Sequence, residues 1–440
     1  MKINQKRVLA LAAYLLLIFL PLLVMFLFPM PSGRQSWRDI SVMLGFVGLA
    51  MAGVQFVPTA RLPFLADVFD LDNLYRVHHL LSVLSVVLVF LHPVILLIYN
   101  PNTLLLLNFF TAPWRAQAGI LGLLGLILIA ITSVLRKEIR LGYNAWHGVH
   151  DLLALGIAVF ALIHIVKVNY YFSAPAMRAA WVVEALIWIA MTIYLRVVKP
   201  LQMKAAPYTV AKVTAEAPGT WSLALKPVGH AGMAFKAGQV AWLNINTSPF
   251  TLHRNPFSLA GSARKPGELQ FAIKNLGDFS ASIGSLKGGE TVYVDGPYGT
   301  LSLDWESPRA GMVLLAGGIG IAPVMSILRT LADDGDKRPL FCFYGNYDES
   351  NIPFEKELDQ LKKKLNLTLV HVLEKPSKQY KGEKGYISRE LLEREIPSDL
   401  RHKLHYFICG PVPMIHAMER ILQAMQVPHK HVTSEKYEMA

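Results

Sequence analysis

Four histidines lie at matched intervals inside two long apolar segments of the chain. His78 and His92 are 14 residues apart in one segment, and His150 and His164 are 14 residues apart in the other. In an α-helix, 14 residues turn through about 1400° and rise about 21 Å, so both members of a pair face the same side of their helix. A single histidine of this kind is typically a hydrogen-bonded side chain inside a bundle. Two histidine pairs with the same interval favour two haem irons, each with one pair at its two axial positions.

Two neighbouring histidines compete for these roles. His79 is 13 residues from the second histidine of its segment, which places the two about 140° apart around a helix. His147 is 17 residues from the second histidine of its own segment, about 100° apart. The spacing leaves His79 open as an alternative metal ligand to His78. The predicted metal ligands are His78, His92, His150 and His164.

The segments that must position these histidines have the length of membrane spans. Of the 440 residues, 53% are hydrophobic, and the long apolar runs all precede residue 200. Most runs are near the ~20 residues that a spanning helix needs. We therefore predict a transmembrane domain of six helices over residues 1–200. The apolar runs are 8–29, 40–57, 80–99, 116–135, 152–168 and 179–198.

The net charge of +12 is distributed as in a membrane protein. Basic residues concentrate in alternate loops, so the positive-inside rule predicts a cytoplasmic N-terminus and a cytoplasmic C-terminal half. A nucleic-acid surface typically clusters basic and aromatic residues on a soluble face. The sequence has no such cluster, so we exclude nucleic acid as a partner. The only cysteines, Cys342 and Cys409, fall in the C-terminal half, which fits a reducing compartment. We expect an integral protein of a bacterial inner or plasma membrane.

After Pro200 the sequence changes to short β-rich runs broken by glycine and proline, which predicts two soluble domains. We expect an antiparallel flavin-binding β-barrel over 201–307 and an α/β nucleotide-binding domain over 308–440. The segment RNPFSLAGS (254–262) follows a β-rich run and offers an aromatic ring to an isoalloxazine, a hydroxyl to its polar edge and a guanidinium to a diphosphate. An ordinary turn at a strand end is the alternative. The candidates are Arg254, Pro256, Phe257 and Ser258.

A second flavin motif is the segment GDFSASI at 277–283, which reads as a loop that runs into a helix. Amides at a helix start, together with a serine, can hold a diphosphate. An N-capped surface helix is the alternative interpretation. The candidate residues are Gly277, Asp278, Phe279 and Ser280. The Gly-Pro-x-Gly turn within 294–301 is expected to close the barrel.

The most specific soluble motif is MVLLAGGIGIAPVMSIL at 312–328, an apolar strand that runs through glycines into an apolar helix. Glycines let a backbone approach a diphosphate, which then rests on a helix N-terminus. A second strand, in HYFICGPVPMI at 405–415, ends in Cys-Gly-Pro where an open α/β sheet binds its ligand. Cys409 is alternatively a small buried residue. The nucleotide-site candidates are Gly317, Gly318, Gly320, Pro323, Gly410 and Pro411.

Taken together, these motifs resemble a known family over nearly the whole chain. The membrane half resembles the ferric-reductase transmembrane domain shared by NADPH oxidases, bacterial ones included, and ferric-chelate reductases. The soluble half is similar to ferredoxin–NADP reductase. The resemblance implies two b-type haems, FAD and NADPH or NADH, with electrons passing from nucleotide to flavin, to the haems and to an external acceptor. It also implies catalytic positions for Cys409 and for Tyr437, an aromatic residue of the C-terminal TSEKYEMA that would cover the flavin ring.

The nucleotide preference and the acceptor remain open at the level of sequence. Tyr347, Asp348 and Glu349 follow the second nucleotide-binding strand, and carboxylates there disfavour the 2′-phosphate of NADPH unless Lys375, Lys378 or Arg389 compensates. Dioxygen, reduced to superoxide, is the acceptor that we favour. The alternatives are a ferric chelate and a periplasmic redox partner protein that receives electrons from a membrane donor subunit.

Overall fold

The computed structural model describes residues 3–31, 35–66, 68–69, 71–251, 255–299 and 310–436. Arg254 and Tyr437, two of the residues selected from the sequence, lie outside these ranges, as does the predicted boundary between the two soluble domains at 307/308. The chain divides into two compact units, Met1–Lys199 and Pro200–Ala440.

Within the described ranges, the membrane unit holds six helices that are long and apolar enough to cross a membrane. Their first turns extend beyond the apolar runs, because the helix continues into polar flanking sequence. Pro175 occupies the first turn of the last helix, where its missing N–H has no cost. The helices are α1 (Ile3–Leu27), α2 (Ser36–Val54), α3 (Leu71–Tyr99), α4 (Trp114–Val134), α5 (Tyr143–Val168) and α6 (Pro175–Ile193).

Helix pairing in this unit follows the positions of small residues. α2 packs along α3, and α4 packs along α5. Gly48 on α2 and Gly122 on α4 face Val89 and Ala161 of their respective partners, which lets the two backbones approach closely. The two helices that carry the histidines, α3 and α5, thus each pack along one other helix, α2 and α4 respectively. Leucine and valine side chains line the outer surface, as expected for helices whose solvent is lipid.

The first soluble domain is an antiparallel barrel. Its sheet order is β4-β3-β6-β1-β2-β5, and a bridge between Leu259 and Phe271 joins the two edges. Closing the sheet removes its open edges. The strands are β1 (Tyr208–Ala217), β2 (Thr220–Pro227), β3 (Val240–Ile245), β4 (Asn255–Ser258), β5 (Leu269–Lys274) and β6 (Thr291–Tyr298), with the short helix α7 (Asp278–Ser282) after β5.

The second soluble domain is a parallel sheet in the order β10-β9-β8-β7-β11-β12. Its interior strands β7 and β11 are buried along their whole length, as parallel strands covered on both faces must be. The strands are β7 (Met312–Gly317), β8 (Leu340–Asn346), β9 (Leu367–Leu373), β10 (Glu383–Lys384), β11 (His405–Gly410) and β12 (Val432–Lys436). The helices are α8 (Ile321–Asp333), α9 (Glu355–Lys364), α10 (Arg389–Glu395) and α11 (Val412–Ala424).

One arginine of α8 ties the barrel to the parallel sheet. The Arg329 guanidinium donates to the Ala260 carbonyl and to Gln270 Oε1 of the barrel, both at 2.8 Å. It also forms a two-pronged ion pair with Glu357 of α9, at 2.7 and 2.6 Å. The predicted architecture, a six-helix bundle followed by an antiparallel barrel and an α/β domain, is confirmed.

Candidate functional site

The four histidines selected from the sequence meet as two pairs between α3 and α5. The rings of His78 and His150 have their centres 6.3 Å apart, with an angle of 60° between the ring planes. The rings of His92 and His164 have their centres 6.4 Å apart, with an angle of 74°. The two helices therefore face each other with the pairs in register.

These separations fit one metal ion between each pair of rings. A histidine nitrogen lies about 2.0 Å from the metal it binds and ~1.1 Å from its own ring centre, so two imidazoles on opposite sides of one metal have centres about 6.2 Å apart. Both observed separations are close to this value. The donor set of two imidazoles per site is the one that axial haem ligation requires.

The hydrogen bonds of His92 determine which of its nitrogens can bind a metal. The Ser41 hydroxyl donates its one hydrogen to the His92 carbonyl, at 2.8 Å. The same hydroxyl oxygen lies 2.9 Å from His92 Nδ1, and the Ser41 carbonyl oxygen lies 3.0 Å from it. Since both oxygens can only accept from the ring, Nδ1 carries the hydrogen. Nε2 is therefore left with a lone pair for a metal.

His164 also carries its hydrogen on Nδ1, because of a contact with a backbone carbonyl. Its Nδ1 lies 2.7 Å from the Arg115 carbonyl oxygen, which can only accept, so Nε2 again holds the lone pair. Orientation of a histidine ligand by a bond from its second nitrogen is a general property of metal sites. Neither the contact from Ser41 nor the contact from the Arg115 carbonyl could be predicted from the sequence.

The pair of His78 and His150 has different hydrogen-bond partners. His150 Nδ1 lies 3.1 Å from the Ser133 hydroxyl, which also accepts a hydrogen bond from Trp146 Nε1 at 3.3 Å. Nδ1 of His78 is buried and has no hydrogen-bond partner among the described residues. A hydroxyl can donate or accept, so this pair does not have its tautomer fixed by the protein in the way the first pair does.

The two competing histidines lie elsewhere. The side chain of His79 is exposed, while that of its neighbour faces α5. His147 Nδ1 lies 3.5 Å from an oxygen of Asp151, and Asp151 is also paired with Arg196. Among the described residues, no group of three or more His, Cys, Asp or Glu side chains could hold a metal ion. A haem needs only two protein ligands, so this finding does not bear on the two pairs.

In the barrel, the two flavin motifs come together through their aromatic residues. Phe257 of β4 and Phe279 of α7 stack with ring centres 5.7 Å apart and 20° between their planes. Both rings are half-buried, and Ser258 is buried beside them. Pro256 pairs with Trp242 of β3 in the strand ladder. A flat, partly exposed aromatic surface suits stacking against a planar isoalloxazine ring.

The hydroxyl of Ser280 is used within the protein. It accepts hydrogen bonds from the amides of Leu276 and Gly277, at 2.8 and 3.0 Å, and donates to the Gly277 carbonyl at 2.9 Å. Gly277 and Asp278 themselves are exposed at the start of α7. The Ser280 hydroxyl thus stabilises the loop before α7.

The glycines after β7 divide into two roles. A Cβ on Gly317 would lie 2.4 Å from Met414 Sδ, and one on Gly320 would lie 2.1 Å from the Cys409 carbonyl oxygen. Gly320 is therefore required by its close approach to the backbone of β11, whereas a side chain at Gly317 would displace the flexible Met414 side chain of α11. Gly318 has a φ of +54° and open space where a Cβ would be, so it is the glycine that a diphosphate can approach.

The Cys-Gly-Pro segment ends β11 beside that loop. Cys409 is fully buried, and its Sγ donates to Glu435 Oε2 of β12 at 3.8 Å. Gly410 is buried against Gly317, and Pro411 is exposed where α11 begins. Pro323 is buried in the first turn of α8 and does not face solvent. The sequence could not predict the contact of Glu435 with Cys409, because the two residues are 26 positions apart.

The carboxylates after β8 have partners of their own. Asp348 accepts from the amide and hydroxyl of Ser350 and from Asn351, and these bonds lower its pKa. Glu349 accepts from the amide and hydroxyl of Ser377, which lowers its pKa as well. The Lys375 ammonium lies 5.1 Å above the centre of the Tyr347 ring. The carboxylates of Asp348 and Glu349 and the ammonium of Lys375 thus lie at this edge of the sheet.

Two protein families match separate parts of the chain. Residues 44–161 match the family described as ferric reductase like transmembrane component. Residues 314–420 match the oxidoreductase NAD-binding domain family. The chain thus joins a region similar to ferric reductase-like membrane components to a region similar to oxidoreductase NAD-binding domains. The resemblance drawn from the histidine pairs and the glycine motifs is confirmed at this level.

Among curated proteins, the chain is similar to reductases of several systems. It is 30% identical over 225 residues to the reductase component of propane 2-monooxygenase from Rhodococcus jostii, a match that covers 49% of this chain and 59% of that protein. It is 30% identical over 169 residues to NADH-cytochrome b5 reductase 2 from Scheffersomyces stipitis, covering 37% and 56% respectively. The chain spans less than two thirds of the length of these relatives.

Among solved structures, the fold is similar to that of flavohemoglobin from Malassezia yamatoensis with bound FAD and heme. The TM-score is 0.50 at 19% sequence identity, and the match covers 92% of this chain and 97% of that one. At this identity the likeness concerns the fold alone.

Proposed function

We propose that the chain carries electrons from NAD(P)H, through FAD and two bis-histidine b-type haems, across the membrane to an external acceptor. The observation that carries this proposal is the pair of His–His separations, 6.3 and 6.4 Å, between two membrane helices. Flavin takes up a hydride and releases its electrons one at a time, and haem iron carries one electron, which together would convert a two-electron donor into a one-electron transmembrane current.

The roles of the protein groups follow from their positions. His78, His92, His150 and His164 would supply the four axial nitrogens, one pair per haem. The stacked aromatic pair of β4 and α7 would support the flavin ring, and the open backbone at Gly318 would receive the nucleotide diphosphate. Cys409 and Glu435, at the end of β11 and its neighbour β12, would position the nicotinamide.

The direction of the current rests on the distribution of charge. Basic residues in alternate loops favour a cytoplasmic N-terminus and a cytoplasmic reductase half. His78 and His150 would then lie near the cytoplasmic side, and the other pair near the outer side. Cytoplasmic NAD(P)H would be oxidised on one side of the membrane and the acceptor reduced on the other.

We propose dioxygen, reduced to superoxide, as the acceptor. Dioxygen needs no chelate pocket on the outer loops. The description of the matching family as ferric reductase like supports a ferric chelate as the second candidate. Either acceptor takes one electron at a time, so both are compatible with the same chain of cofactors.

The test uses purified full-length protein supplied with FAD and with NADH or NADPH. Reduction of cytochrome c that superoxide dismutase suppresses, with no added protein partner, supports the oxidase. Reduction of a ferric chelate that dismutase leaves unchanged supports the ferric reductase. A protein that reduces its haems and then stops with both acceptors contradicts both proposals and indicates a donor to another protein. His164→Ala is the matched control, since it should abolish either transmembrane activity.

A further inference from the structure

His92 lies in a socket on α2 that is made of the carbonyl and hydroxyl oxygens of Ser41 and of one glycine. The Ser41 carbonyl oxygen lies 3.0 Å from His92 Nδ1. Gly45 is four residues further on, and a Cβ placed there would lie 3.2 Å from His92 Cγ. The imidazole therefore rests against the backbone at the turn of the helix whose carbonyl it contacts, with the Ser41 hydroxyl oxygen 2.9 Å from Nδ1 as a second acceptor.

His164 lies in a similar socket on α4, made of one carbonyl group and one glycine. The Arg115 carbonyl oxygen lies 2.7 Å from His164 Nδ1. Gly119 is again four residues further on, and a Cβ there would lie 2.7 Å from Nδ1 and 3.0 Å from Cε1. Such short distances are essentially absent for real Cβ atoms, so any side chain at this position must displace the ring.

The spacing of four residues has a geometric reason. In an α-helix the carbonyl of residue i accepts from the amide of residue i+4, so the carbonyl is already in use along the helix axis. A second donor must approach from the side, over residue i+4. Glycine at that position leaves the most room for the plane of an imidazole, which then shares the carbonyl as a second donor.

The other histidine pair has no such socket among the described residues. The Ser133 hydroxyl contacts His150, and Nδ1 of His78 is buried without a partner. Carbonyl bonds to Nδ1–H make an imidazole a stronger donor through Nε2. The two pairs thus offer a metal unequal ligands.

We propose that Gly45 and Gly119 are positioning residues, which seat His92 and His164 on helix carbonyls and thereby fix their orientation and increase their donor strength. This inference rests on the proposed haem function and specifies how the protein distinguishes its two haem sites. Stronger axial donors favour ferric iron, so the haem of this pair has its reduction potential lowered by the sockets.

The test compares Gly119→Ala with Gly122→Ala in the full-length protein. The control lies one turn along the same helix, and its added Cβ would be 3.6 Å from the Ala161 amide nitrogen, an ordinary contact. Gly119→Ala is expected to weaken retention of one haem by about 10- to 100-fold. In protein that keeps the haem, its midpoint potential should rise and its low-spin electron paramagnetic resonance signal should shift. The second haem should keep its wild-type potential in both variants.

Gly45→Ala and Gly48→Ala repeat the test on α2. Gly45→Ala crowds His92 less severely and should give a smaller rise in the same potential. Gly48→Ala places a Cβ 2.8 Å from Val89 Cγ2, so it strains helix packing without touching a histidine. It should lower thermal stability and leave both potentials at the wild-type values.

Potentials and resonance signals of Gly119→Ala and Gly45→Ala that match their controls would overturn the inference and leave the haem function intact. If Gly119→Ala does not fold, Gly45→Ala against Gly48→Ala decides. Wild-type protein without low-spin haem would overturn the proposed function itself, and the two failures are therefore distinguishable.

Discussion

The imidazole of His78 faces that of His150 with ring centres 6.3 Å apart, whereas the adjacent His79 is exposed. A helix separates neighbouring residues by about 100°, so only one of two consecutive histidines can face α5. The assignment of the ligand therefore depends on a single position.

Replacing these two neighbours separately tests that assignment. We expect His78→Ala to remove one haem, because the metal loses an axial nitrogen, and His79→Ala to leave the haem content unchanged. The measurement is the pyridine haemochrome content per chain together with the low-spin absorption spectrum. Loss of haem in His79→Ala alone would show that the helix is rotated from the position described.

The nucleotide preference is tested at Asp348. We expect NADH to be used at least as well as NADPH, because two ionised carboxylates follow β8. Asp348 also caps the following turn, so the informative change is Asp348→Asn, which keeps an accepting oxygen for Ser350 and Asn351 and removes the charge.

Asp348→Asn should improve kcat/KM for NADPH relative to NADH by on the order of tenfold, since a repulsion is removed and Lys375 remains. Lys375→Ala is the opposite change and should lower relative use of NADPH. A strong wild-type preference for NADPH would contradict this account of the sheet edge.

The sequence was informative where chemistry depends on local spacing. The histidine interval, the glycines before α8 and the alternation of strands could all be read along the chain. The groups that orient the histidines could not, because Ser41 and Arg115 lie 51 and 49 positions from the rings they contact. A local motif also leaves the role of a residue open, as at Ser280, whose hydroxyl bonds its own loop.

Arg329 is expected to stabilise the junction of the barrel and the parallel sheet. Its side chain is only 13% exposed and bonds to both domains. Arg329→Ala should lower the free energy of unfolding by about 2 kcal/mol, because buried acceptors lose their donor. Thermal unfolding of the full-length protein measures it. Arg264→Ala, which removes an exposed ion pair with Asp334, is the control and should change little. Equal effects of the two would contradict the proposed junction.

Both cysteines should be unreactive in the folded protein. Cys342 and Cys409 are buried, and burial raises the pKa of the Cys342 thiol to about 12, so its reactive thiolate is scarce at neutral pH. We expect a thiol reagent at pH 8 to modify two groups per chain in denaturant and none in native protein. Rapid native labelling would contradict the burial of these strands.

The central claim, two haems each held by one histidine from α3 and one from α5, is tested most directly by haem stoichiometry in single-histidine variants. The account predicts two low-spin haems per wild-type chain. His92→Ala and His164→Ala should each lose the same haem and keep the other, and His150→Ala should lose the haem that those variants keep. A wild-type content of one haem, or loss of different haems in His92→Ala and His164→Ala, would contradict the account.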